Sequence, residues 1–162
     1  MLLAGINHVA LLTNDSDRLH GFYRDVFDAE IAYDGEEPAG GDGPGPAGGR
    51  GPRFSVIRVG PFSELNVFQF EGNHEADRQT PMFGRGRLDH MAVHAVSIDA
   101  FETIRDRLIA RGSCDSFVTD FGPVLSLFFR DPDGLEGEVC VTNPDAEPGV
   151  FKGPGTPAAR YQ

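Results

Sequence analysis

Residues 88–93 read LDHMAV, and residues 6–11 read INHVAL. Each is a mostly apolar run with an Asn or Asp and then a histidine at its second and third positions, the composition of a buried strand interrupted by polar side chains. Laid over one another they fix an offset of 82, and the match continues beyond them. At that offset Asp17 falls on Asp99, Leu19 on Phe101, Phe22 on Ile104 and Val26 on Leu108. The segments 16–28 and 98–111 therefore share apolar phase as well as place. Leu19, Phe22, Tyr23, Val26 and Phe27 recur at helical steps in the first, and Phe101, Ile104, Leu108 and Ile109 in the second. Asp17 and Asp99 stand where a cap or first-turn acid favours a helix start.

Strand signals follow each helix: AEIAY (29–33), RFSVIRV (53–59) and SELNVFQF (63–70), then DSFVT (115–119), VLSLFFR (124–130) and LEGEVCV (135–141). Gly60-Pro61 and Asp131-Pro132-Asp133-Gly134 are turn sequences leading into the last strand of each half. The expected fold is α+β: two tandem βαβββ modules forming a curved mixed sheet around a central cavity. The expected organisation is one domain over 1–162. Its parts are a first module 4–71, a linker 72–87, a second module 88–142 and an irregular tail 143–162. At the module ends Glu64 falls on Glu136 and Asn66 on Glu138 at an offset of 72, so the first module is ten residues longer. The excess lies in 35–52, where 12 of 18 residues are Gly or Pro, a composition that forms no packed element and reads as a flexible insertion.

Charge and cysteine content narrow the function classes. With 25 acidic and 14 basic residues the formal net charge is −11, which repels nucleic acid and anionic membranes. The opening MLLAGINHVALL has no basic leader and is interrupted by Asn7 and His8, so it reads as neither signal peptide nor spanning helix. Two cysteines, Cys114 and Cys140, are too few for a disulfide framework, and a reducing cytoplasm is expected.

Strand alternation places His8 with Ile6, Ala10 and Leu12, and His90 with Ala92 and His94. Glu136, Glu138 and Cys140 share a face of the last strand, as Glu64, Asn66 and Phe68 do in the first module. If the modules' sheets curve around one axis, His8, His90, Glu138 and Asn66 converge. Two imidazoles and a carboxylate, with an amide fourth, suit a divalent ion with open positions for substrate. His90 and His94 lie about 13 Å apart along a strand, too far for bonds of about 2.1 Å to one ion. His90 has a counterpart in His8, so it is read as the ligand, and His94 as substrate-facing. Glu136 competes with Glu138, and Glu64 could replace Asn66 or act as a base. Gln69 has the wrong parity. His20 and His74 are expected to face solvent, and Cys140 to behave as a small hydrophobe. Phe54, Phe68, Phe117, Phe121 and Phe128 are candidate cavity walls or ordinary core.

These motifs resemble the vicinal oxygen chelate superfamily of glyoxalases, epimerases, extradiol dioxygenases and bleomycin-resistance proteins. The resemblance covers about residues 4–142, and FRDPDGLEGEV (129–139) is its most specific piece. It implies paired βαβββ modules, frequent homodimers, and metal ligands at His8, His90 and Glu138. At the fourth ligand position, often Glu or Gln, this chain has Asn66. The expected function is a divalent-metal-dependent enzyme (Fe2+, Zn2+, Ni2+ or Mn2+) acting on a small oxygenated metabolite. It would stabilise an enolate, with Glu64 or His94 as base, or activate oxygen. The alternative is a non-catalytic protein sequestering a drug or aromatic metabolite. A structural module with a vestigial site is a third reading.

Overall fold

The computed structural model describes residues 2, 5–36, 51–74, 84 and 88–162. They fall in two compact units, Met1–Gln79 and Thr80–Gln162. The first contains β1 (His8–Leu12), α1 (Ser16–Phe27), β2 (Glu30–Glu36), β3 (Arg53–Gly60) and β4 (Ser63–Gln69). The second contains β5 (Met91–His94), α2 (Ile98–Arg111), β6 (Val118–Asp120), β7 (Val124–Arg130) and β8 (Glu136–Thr142). Each repeat is thus βαβββ, and each builds its own four-stranded mixed sheet, ordered β1-β4-β3-β2 and β5-β8-β7-β6. In both, the first strand runs parallel to the last and the other pairings are antiparallel.

The helices begin on side-chain caps that are themselves 82 residues apart. Asp15 accepts from the Arg18 backbone N–H at 2.9 Å, and Ser97 from that of Ala100 at 3.1 Å. Asp17 and Asp99 occupy the first turns, where a carboxylate meets the positive helix end. α1 lies on β3 and β4, and Leu19, Phe22, Tyr23 and Val26 are buried there together with Ile57, Leu65 and Val67. In the second unit Phe101 and Leu108 of α2 are buried, as are Leu125, Leu127, Val139 and Val141. Each such side chain contributes roughly 1.5–3 kcal/mol on leaving water.

Several boundaries differ from the sequence reading. β2 runs to Glu36, so Gly35 and Glu36 belong to a strand rather than to the insertion; residues 37–50 of that insertion lie outside the described residues. So do 75–83 and 85–87 of the linker. β6 begins at Val118 rather than Asp115, because Ser116 takes a left-handed φ of 69° that breaks the extended chain before it. β5 begins at Met91, leaving His90 one residue ahead of the strand. The Asp131–Gly134 turn closes as its composition demands. Asp131 accepts the backbone N–H groups of Asp133 and Leu135 at 2.9 and 2.8 Å, and Gly134 adopts φ 86°. Residues after Asn143 dock on the edge of β6: Asp120 N–H donates to Thr156, Ala158 N–H to Val118, and Lys152 pairs with Asp120 at 2.6 Å. Among the described residues no helix is long and apolar enough to cross a membrane.

Candidate functional site

In the first unit, alternation sorts β4 cleanly. Leu65 and Val67 are buried on the helix side, so Glu64, Asn66 and Phe68 occupy the other, helix-free face. The parallel ladder sets His8 opposite Glu64 and Ala10 opposite Asn66, which puts His8 on that face as well. Asn7 Oδ1 lies 2.9 Å from His8 Nδ1. An amide oxygen only accepts, so Nδ1 is the donor in this bond. Arg58 stands 3.8 Å from Glu64 and 2.6 Å from Glu30. Phe54 and Phe68, with ring centroids 4.9 Å apart, continue the face as an aromatic wall. Asn66 Oδ1 is buried and has no hydrogen-bond donor among the described residues.

The second unit repeats the arrangement with a carboxylate. Ala92 is the ladder partner of Glu138, as Ala10 is of Asn66, so the registers reproduce both offsets, 82 and 72, read from the sequence. His90 Nε2 lies 3.4 Å from Glu138 Oε2. Asp89 accepts from His90 Nδ1 at 2.7 Å, so that Nε2 is the ring nitrogen turned toward Glu138. Glu138 Oε1 accepts from the hydroxyl of Ser126 on β7, a side chain with no exposure. Burial first, and the Glu138 carboxylate second, push the Cys140 thiol up to about 12, so it remains protonated. Phe128 stands edge-on to His90 at 6.1 Å between centroids. Glu136 is engaged by Arg130 at 2.7 Å, and exposed His94 pairs in the ladder with Cys140.

A divalent cation fits this donor set. His90 Nε2 and Glu138 Oε2, an imidazole nitrogen and a carboxylate oxygen 3.4 Å apart, are both ordinary ligand atoms for such an ion. Bonds of about 2.1 Å to one ion would subtend about 108°, an ordinary coordination angle.

Other sequence-predicted polar groups have local duties. His20 does not face solvent: it is 2% exposed, and its Nε2 meets the Ser55 hydroxyl at 2.8 Å. Burial lowers its pKa, with Asp34 opposing. Asp17, His20 and Asp34 could offer atoms within 4.8 Å of one another. Arg53 already binds both carboxylates, at 2.7 Å to Asp17 and 2.6 Å to Asp34, and its guanidinium holds both below the usual carboxylate range. Gln69 accepts from the Ser16 backbone N–H at 2.9 Å and so serves the start of α1. His74 is exposed. Asn7, Asp89 and Ser126 were missed in the sequence, yet an Asn or Asp immediately before each repeated histidine was a visible signal.

Comparison with known proteins agrees with the fold. The profile of the Glyoxalase/Bleomycin resistance protein/Dioxygenase superfamily matches residues 5–139. A 2-epi-5-epi-valiolone epimerase from an Actinomyces species is 27% identical over 142 residues, covering 83% of this chain and 77% of that protein. A glyoxylase/bleomycin resistance protein/dioxygenase domain from Frankia superposes with a TM-score of 0.65 at 20% identity, over 88% of this chain and 95% of that one. A variant of the fosfomycin resistance protein FosX from Listeria monocytogenes, solved with Mn(II) and 1S,2S-dihydroxypropylphosphonic acid, superposes at 0.59 and 16% identity, over 85% and 92%.

Proposed function

Because the chain belongs to the glyoxalase/bleomycin resistance protein/dioxygenase superfamily, we propose that it is a divalent-metal-dependent epimerase or isomerase of a small hydroxylated ketone. His8, His90 and Glu138 are the proposed ligands, with Asn66 at the fourth position. The observation that carries the reading is the His90–Glu138 pair, an imidazole nitrogen and a carboxylate oxygen 3.4 Å apart. Epimerisation is favoured over oxygen chemistry by the likeness to an epimerase whose named substrate is a ketone.

A bound divalent ion would act there as a Lewis acid toward two adjacent substrate oxygens, favouring negative charge as it develops on the carbonyl. The chain supplies the rest. Glu64, on the helix-free face beside His8, takes the proton from the carbon next to the carbonyl and gives it up to solvent, and a solvent proton is delivered to the opposite side of that carbon. His94 is the second candidate for this exchange. No oxidant or reductant is consumed. Phe54 and Phe68 exclude water from the apolar side of the substrate. The reading extends to a homodimer in a reducing cytoplasm, where Cys114 and Cys140 remain free thiols.

The test is proton exchange. Protein loaded with Mn2+ and given a panel of 2-hydroxy ketones in D2O is expected to introduce deuterium next to the carbonyl, seen by proton NMR, and Glu138→Ala to abolish it. Tight ketone or aromatic-ligand binding without any exchange, unaffected by metal removal, would favour sequestration instead.

A further inference from the structure

We propose that Ser126, together with Asp89, positions the metal ligands: Ser126 aims Glu138 and Asp89 aims His90. This inference rests on the metal-centre reading and adds residues to it.

The duplication provides an internal control. Ser126 is the ladder partner of Cys140, and the matching residue in the first unit is Phe54, partner of Phe68. The hydroxyl therefore accompanies the carboxylate of Glu138 and is absent beside the amide of Asn66, whose oxygen has no donor among the described residues. A serine with no exposure in the middle of a strand is a poor choice for packing alone. Leu125 and Leu127 beside it show what the strand buries on its other face. Its single proton is given to Oε1 of Glu138, which turns Oε2 toward His90. The Asn or Asp before each histidine works the same way from the other side. Asn7 and Asp89 each hold Nδ1, at 2.9 and 2.7 Å, so that Nε2 is the ligating nitrogen. Asp89 carries a negative charge that Asn7 lacks.

The experiment is calorimetric titration of the whole protein with Mn2+, alongside thermal melting of the metal-free form. Ser126→Ala and Asp89→Ala are each expected to weaken Mn2+ binding about 10–100-fold, with little change in metal-free Tm. Asp89→Asn, which restores the arrangement of Asn7, is expected to recover most of the loss. In a Glu138→Ala background, Ser126→Ala should cost nothing further. Wild-type binding with unchanged affinity in both alanine variants would overturn the positioning role alone, as would equal losses in both backgrounds. Wild type that takes up no Mn2+, Zn2+ or Fe2+ would overturn the metal centre itself.

Discussion

Phe129 lies across Gly137, its partner in the β7–β8 ladder, with ring atoms 2.6 Å from where a Cβ on residue 137 would stand. No real side chain tolerates that approach, and Phe129 is itself 4% exposed with little room to retreat. Gly137 immediately precedes Glu138, so the contact also sets where the carboxylate strand runs. Gly137→Ala is expected to destabilise the protein by about 1–3 kcal/mol through overpacking. It should also weaken metal uptake. Urea unfolding with a shifted midpoint and unchanged slope is the readout.

Asp131 yields a pH prediction. Burial raises its carboxyl to about 6, against backbone N–H groups that pull the other way. A folded pKa above the unfolded value of 3.8 means that the native state holds the proton longer. Its contribution is present below about pH 4 and is lost as pH rises through about 6, on the order of 3 kcal/mol in all. Asp131→Asn keeps the acceptor for Asp133 and Leu135 and removes the charge. The variant is therefore expected to gain on wild type between pH 4 and 7, in chemical denaturation followed across that range.

His20 acts in the opposite direction. Its folded pKa lies below 6.5, so stability is full above that value and declines as pH falls through it. His20→Leu should abolish this decline while leaving the buried Ser55 hydroxyl without its partner, at about 1–3 kcal/mol. Melting at pH 8 and pH 5.5 separates the two effects.

For the chemistry, Glu64→Gln is expected to lower kcat for proton exchange by about 10²–10⁴ with Mn2+ affinity nearly intact. His94→Asn should lower it by less. If only His94→Asn abolishes exchange, the base is on the second unit.

The tandem fold was legible because two periodicities repeat in step: the 3.6-residue stripes of α1 and α2, and the alternation of the last strands. The ladder pairs Ala10–Asn66 and Ala92–Glu138 follow from offsets visible in the sequence. His20 escaped the reading because a histidine was assumed to be polar surface. Yet Ser16, Leu19, His20, Tyr23 and Val26 lie on one helical stripe, and all are buried. β6 was placed too early because nothing in DSFVT announces a serine at positive φ. The support around the ligands was partly hidden. Ser126 lies twelve residues from Glu138, and only cross-strand register brings its hydroxyl to that carboxylate.

The central claim is tested most directly by counting metal. Protein saturated with Mn2+, freed of excess ion and measured by elemental analysis should hold about one ion per chain. His8→Ala, His90→Ala and Glu138→Ala should each lose most of it, whereas Asp34→Ala should lose none. An ion retained in all three ligand variants but lost with Asp34→Ala, or no ion in wild type, would contradict the account.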